Sequence, residues 1–208
     1  MVVMRKHIFF EVVKNYFSVD ELYRIQNTKV LIVGCGGLGS NVANILVRCG
    51  FVKFTLVDFD VVEVKNLNRQ LFFISQCGVK KVEALKKNLH KVNPQVKVET
   101  LCMKVNSKNC LNIIKKVNAD VVVEAVDDEK TKKLLFDIVL SSGGKIVCAS
   151  GIAGYGDCER IKISRGENYS IVGDMNNSVK EKKPLLPKVS AVASIQADEV
   201  LRLVLKNE

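Results

Sequence analysis

No uninterrupted apolar run in this sequence approaches the roughly 20 residues that span a bilayer, so no membrane partner is expected. Residues 1–17 mix basic and apolar side chains without a clean hydrophobic stretch or a small-residue cleavage site. No signal peptide is read there, and the expected location is cytoplasmic. The seven cysteines (Cys35, Cys49, Cys77, Cys102, Cys110, Cys148 and Cys158) are odd in number and contain no C-x-x-C pair. That excludes a disulfide framework and a cysteine-rich zinc site, and it leaves most of them as small core residues. The two histidines, His7 and His90, have no ligand spacing and are expected at the surface. There is no internal repeat and no low-complexity tract.

What is present fits one domain with a substantial core in 208 residues. Apolar residues at 48% and charged residues at 26% are ordinary for a soluble globular chain. The net charge of +10 has two readings: a solvated lysine-rich surface, or a surface for RNA or an acidic partner. The first is preferred, because charge steers encounters without identifying a partner, and nucleic acid is not the expected ligand.

The chain is organised around residues 29–70. Val30 to Val33 form an apolar run of strand length that ends in Gly34-Cys35-Gly36-Gly37-Leu38-Gly39. The amphipathic run 40–49 puts Val42, Leu46 and Cys49 on one face. A β-rich run, 54–57, then ends in Asp58-Phe59-Asp60. Strand, glycine turn, helix, strand and acid is the order of a nucleotide site. Gly34 permits the tight turn, Gly36 lets backbone approach a phosphate, and Gly39 lets helix pack on strand. Gly37 and Leu38 continue the backbone cradle at the positive end of the helix. Asp58 is placed to take ribose hydroxyls. A purely structural glycine turn is the competing reading, and the strand-turn-helix-strand context argues against it. Just beyond lie Asp60, Glu63, Asn66, Asn68, Arg69 and Gln70. Arg69 is a planar fork suited to phosphate oxygens, and Asn66 and Gln70 are neutral donors, so the group suits a triphosphate better than a nicotinamide.

The remainder alternates strand and helix. Ser18 to Glu21 reads as a capping box for a helix over 19–26, within an N-terminal helical segment, 1–28. A helix is expected over 79–92, stopped before Pro94, then a strand over 96–101 and a helix over 109–117 with Ser107 as candidate cap. A buried strand over 120–126 ends in Asp127-Asp128, and Asp128 is expected to cap a helix over 130–140. Strands are expected at 145–149, 160–164 and 169–172, a polar loop at 173–186, and a closing helix from Pro187 to about Lys206. The fold expected is α/β: a Rossmann-like, doubly wound, mostly parallel sheet with a C-terminal antiparallel extension and a closing helix.

GCGGLGS followed by LVDFDVVEVKNLNRQ closely resembles the ThiF/MoeB/HesA family, relatives of the ubiquitin-activating enzymes. The resemblance runs from Lys29 to Leu205. Through the glycine-rich segment 150–157, Ile171-Val172-Gly173-Asp174 and Pro187-Lys188-Val189 it is nearest a short, zinc-free ThiF subgroup of bacterial thiamin synthesis. It implies that 29–208 is an ATP-binding adenylation domain. The implied activity is adenylation of the C-terminal glycine of a ThiS-like, ubiquitin-fold sulfur carrier protein. The implied cofactors are ATP and Mg2+, without zinc because the flanking C-x-x-C pairs are absent, and a homodimer is a further implication. Lys81 matches the family lysine before V-E, implied to sit on the phosphates; without the family match a solvated helix lysine would be preferred. Asp127 matches the aspartate of D-x-x-D-N, implied to hold Mg2+. Arg69, Lys81 and Asp127 are the implied catalytic set.

Two departures bear on this. The family's arginine-rich R-Y-x-R-Q segment is not present in 22–26, and Arg24 reads as a surface residue rather than an arginine serving a partner subunit. Cys158 is a possible thiol for a thioester or persulfide step, weighed against an incidental cysteine. Activation of the molybdopterin-synthase carrier, or a tRNA-modifying dehydratase, is the alternative within the family. The absent zinc motifs and short length disfavour the molybdopterin type. An NAD-binding oxidoreductase is the alternative from another class.

Overall fold

A computed structural model describes residues 8–175 and 183–206. The expected arm over 1–17 falls in part outside these residues, as do His7 and much of the loop expected over 173–186. The sheet is built from β1 (Lys29–Val33), β2 (Lys53–Val57), β3 (Lys97–Leu101), β4 (Val121–Glu124), β5 (Lys145–Ala149), β6 (Lys162–Arg165) and β7 (Tyr169–Gly173). Their order is β3-β2-β1-β4-β5-β7-β6. Every neighbouring pair is parallel except β6 with β7, which is the antiparallel extension expected from the sequence.

The apolar strands follow from this layering. A parallel sheet covered on both faces needs nonpolar side chains on both sides, and β1 and β4 are buried along nearly their whole length. On one face lie α2 (Val19–Asn27), α3 (Gly37–Arg48), α4 (Lys81–Val92) and α7 (Leu186–Leu205), around a core that includes Ile25, Val42, Leu46, Leu85 and Val192. On the other lie α5 (Cys110–Val117) and α6 (Glu129–Ser141), packed through Cys110, Ile113, Leu135 and Val139. The short α1 (Ile8–Val13) precedes α2. Each fully buried aliphatic side chain on these faces contributes about 1.5–3 kcal/mol. The helix α3 packs most extensively on α7, which makes the closing helix part of the glycine turn's support.

Element ends departed from the sequence reading where side chains competed with the ladder. The α2 capping box formed as expected. The helix α4 starts at Lys81, two residues late, because Val79 accepts from Val62 N–H and Lys80 bridges Val61. Ser107 is not the cap of α5. Asn106 and Asn109 bond each other and the intervening turn, so the cap position falls on Asn109. The strand β4 stops at Glu124 because Val126 N–H turns to the Glu124 carboxylate at 2.8 Å. A 3-10 turn at Cys158–Arg160 delays β6.

Two buried charge clusters fasten α7. Lys188, fully buried in its first turn, donates to Asp157 at 2.8 Å and Asp174 at 2.6 Å. Further along, Glu199 accepts from Arg165, Arg202 and Ser170, tying β6 and β7 to the helix.

Candidate functional site

Where the strand order reverses, between β1 and β4, the C-terminal ends of the strands open into a cleft of about 760 Å³. That position follows from doubly wound topology: the helices leaving β1 and β4 pass to opposite faces and part the loops above them.

Its floor is the glycine turn. Gly34 has φ +94°, a conformation that strains any L side chain, and an added Cβ would stand 2.4 Å from Ala125 O. A Cβ on Gly39 would stand 1.8 Å from Gly34 O. These two positions let α3 begin directly above β1, and the first-turn N–H groups of a helix lack intrahelical partners. Asp58, at the end of β2, braces the turn. One oxygen accepts Cys35 N–H at 2.6 Å and the other accepts Asp60 N–H at 2.8 Å. Each oxygen keeps a second lone pair, so a hydroxyl could still bind there.

The segment 63–71 forms one wall and is bonded to α3. Asn41 donates to Gly37 O at 2.6 Å and to Arg69 O at 3.1 Å. Ser40 Oγ donates to Gly36 O and accepts Leu71 N–H. Buried Asn66 accepts Glu63 N–H through its carbonyl oxygen, which leaves its amide NH2 as the end available to a ligand. The half-buried Arg69 guanidinium is held by Lys65 O and Asn68 Oδ1. Gln70 is buried on the cleft wall, and its Oε1 has no partner among the described residues. An unmet buried acceptor is what a ligand hydroxyl or amine, or a water, would complete.

Lys81 is not the solvated helix lysine that its lysine-rich surroundings favour. Its side chain is 7% exposed and donates to Asp60 at 2.7 Å, while the Asp60 carboxylate is 44% exposed. Lys81 and Asp60 therefore reach the cleft as a pair. Asp127 stands exposed on the opposite wall, and Asp128 is committed to capping α6 through Thr131 N–H at 2.8 Å. Among the described residues, no group of three or more His, Cys, Asp or Glu is placed to hold a metal. Magnesium bound by one carboxylate, substrate phosphates and waters needs no such group, so Asp127 fits that ion.

Sequence reasoning missed Glu124 and Lys132. Glu124 is fully buried at the end of β4, and Lys132 donates to both its oxygens, at 2.8 and 3.0 Å, and to Ala149 O at 3.0 Å. Burial pushes the Glu124 carboxyl up, and Lys132 and the Val126 N–H oppose this. An acid closing a wholly apolar strand was the signal available. Cys158 is exposed but lies outside the residues that line the cleft. Cys35 is buried beneath the turn, where burial and then Asp58 push its thiol well up, consistent with a packing role. Arg24 is not simply a surface residue: it donates to Leu205 O at 3.4 Å and Lys206 O at 2.9 Å, completing the C-terminus of α7. His90 is half-buried at the surface, with Nδ1 2.8 Å from Lys86 O.

Fold and cleft together define a Rossmann-like α/β domain with its site at the sheet's switch point. The family model described as "ThiF family" matches residues 11–208, and the chain belongs to that family. The chain is 31% identical over 190 residues to the adenylyltransferase and sulfurtransferase UBA4 of Saccharomyces cerevisiae, covering 88% of the chain and 43% of the relative. It is 32% identical over 189 residues to the adenylyltransferase and sulfurtransferase MOCS3 of Dictyostelium discoideum, covering 88% and 44%. It thus spans less than half the length of these relatives. Among solved structures, E. coli tRNA N6-threonylcarbamoyladenosine dehydratase, TcdA, in complex with ATP, overlays with TM-score 0.87 at 19% identity, covering 96% of this chain and 94% of that one. E. coli MccB with ATP overlays with TM-score 0.67 at 24% identity, covering 88% and 57%. At these identities the overlays speak for the fold.

Proposed function

We propose that the chain is an ATP-dependent adenylyltransferase. It activates the C-terminal glycine carboxylate of a ThiS-like, ubiquitin-fold sulfur carrier protein, in thiamin (thiazole) biosynthesis. The observation that carries this reading is the convergence, in one cleft, of the glycine turn, Asp58, Arg69, the Lys81–Asp60 pair and Asp127. Family membership and the adenylyltransferase relatives support it.

The reaction needs positioning more than proton transfer. A carboxylate oxygen attacks the α-phosphorus of ATP, the bond to the pyrophosphate oxygen breaks, and acyl-AMP and pyrophosphate leave. The carboxylate is ionised at neutral pH, so no general base is required. What remains is to bring two anions into line and to neutralise the charge that develops. Gly34, whose N–H is bonded to Val57 O at 2.8 Å, makes the turn that aims the backbone of Gly36, Gly37, Leu38 and Gly39 at phosphate, and Asp58 receives ribose. Arg69 and Lys81 neutralise phosphate oxygens, with Asp60 fixing the position of Lys81. Asn66 and Gln70 orient the substrate. Asp127 is the residue that would hold Mg2+, which supplies charge neutralisation at the phosphates.

The test is pyrophosphate release from Mg-ATP in the presence of a ThiS-like protein ending in Gly-Gly. A carrier-dependent signal, lost when the terminal glycine is deleted, is expected. Arg69→Ala and Asp127→Ala should each lower it at least about a hundredfold. Near-normal turnover in both variants would overturn the site assignment. A second reading, an ATP-dependent tRNA-modifying dehydratase, is favoured by the near end-to-end overlay with TcdA. It predicts salt-sensitive tRNA binding and no response to the carrier.

A further inference from the structure

The cleft is lined by several cations, among them Lys65, Arg69, Lys81, Lys104 and Lys132. Lys132 differs from the others in how its protons are used. An ammonium has three N–H donors. Lys132 directs them to Glu124 Oε1, Glu124 Oε2 and Ala149 O. Contact with a phosphate would require breaking one of these bonds, so its place on the cleft wall does not make it a phosphate ligand.

The partner carboxylate is a junction of three chain segments. Glu124 Oε1 accepts Val126 N–H at 2.8 Å, which bends the chain out of β4 immediately before Asp127. Its Oε2 also lies 3.4 Å from Ala149 N, at the end of β5. The Glu124 carbonyl accepts from Gln196 of α7 at 3.2 Å. Lys132 sits in the second turn of α6, whose first turn is capped by Asp128. On its other side the 125–126 backbone touches the glycine turn, since a Cβ at Gly34 would meet Ala125 O at 2.4 Å and Val126 N at 3.1 Å. Asp127 is thus an exposed acid on a short bridge pinned at both ends, by Glu124 before it and by the Asp128 cap after it, and unlike Asp128 it is not engaged in capping α6.

We propose that Glu124 and Lys132 are positioning residues that hold Asp127 at the height of the glycine turn, so that its carboxylate can share a magnesium ion with nucleotide phosphates. This rests on the nucleotide site of the proposed function. Neither residue touches the nucleotide. Both act through the path of 125–128.

The experiment measures ATP binding by calorimetry with and without Mg2+, together with thermal melts, on the full chain. Wild type is compared with Glu124→Gln, Lys132→Met and Lys132→Arg. In Glu124→Gln and Lys132→Met, the magnesium concentration for half-maximal ATP binding should rise about tenfold, the loss typical when a partner of a metal ligand is removed. ATP affinity without magnesium should stay within about twofold. Lys132→Arg, which keeps the charge and its donors, should restore most of the magnesium response. Combining Glu124→Gln with Asp127→Asn should add little to Asp127→Asn alone. Folded Glu124→Gln and Lys132→Met proteins with an unchanged magnesium response overturn the proposal while leaving the nucleotide site standing. Wild type that binds ATP no better with magnesium overturns the proposal and the magnesium role of Asp127, and wild type that binds no ATP overturns the nucleotide site as well. If Glu124→Gln melts too low to measure, Lys132→Met decides, because it removes the charge without emptying the carboxylate's backbone bonds.

Discussion

Replacing Glu199 with Gln gives the most quantitative test of how this fold holds together. Glu199 is fully buried on α7. One oxygen accepts from Arg165 Nε at 2.9 Å and Nη2 at 2.5 Å; the other accepts from Ser170 Oγ and Arg202 Nε, each at 2.6 Å. Burial alone would raise its carboxyl, but these donors win and hold it at about 2, against 4.5 for an ordinary glutamate. At 1.36 kcal/mol per pH unit that gap is worth roughly 3 kcal/mol, and roughly 2 kcal/mol after allowance for the half-exposed Arg165. A depressed folded value means the stability is present above about pH 4.5 and is lost as pH falls from there toward about 2. Urea unfolding of both proteins across this range measures it. The variant should be roughly 2 kcal/mol less stable at neutral pH. The gap should shrink below about pH 4.5 and close toward about 2. Glu124, whose raised carboxyl acts with the opposite sign, is present in both proteins and cancels. A gap that stays constant with pH would refute the assignment of this stability to the Glu199 charge.

Other perturbations address the site and its frame. Gly39→Ala places a methyl 1.8 Å from Gly34 O, so helix and turn must separate; a drop of at least about 2 kcal/mol in urea unfolding and loss of ATP binding are expected. Lys188→Met removes the buried ammonium that Asp157 and Asp174 share and should cost about 3–5 kcal/mol, partly recovered when both aspartates become asparagine. Burial works against the Lys188 charge, but the two carboxylates raise its proton affinity overall, so the cluster's contribution should persist through neutral pH and fade only above about pH 10.5.

The parts of this protein that were legible in the sequence are those whose cause lies within a few residues. A glycine turn between two apolar runs, a serine three residues before a glutamate, and an aspartate before a helix each carry their own local physics, and each appears in the structure. The doubly wound, mostly parallel sheet follows from the alternation of strands and helices, whereas the order of its strands was not read from the sequence. The long-range ion pairs were not legible. Lys188 meets Asp157 and Asp174 because the segment before β6 and the end of β7 both reach the first turn of α7, and Glu199 meets Arg165 because β6 runs antiparallel at the sheet edge. Neither pairing has a spacing that sequence can display. Lys81 shows the same limit inside the site. Composition places it among Lys80, Lys86 and Lys87 on a solvated helix, and only the family resemblance singled it out. What separates it physically is the backbone of 60–62 crossing the helix start, where Lys81 N–H bonds Asp60 O and the ammonium is carried inward to the Asp60 carboxylate. A lysine's role here is decided by which loop lies over it, and that is a property of topology rather than of the residue or its neighbours.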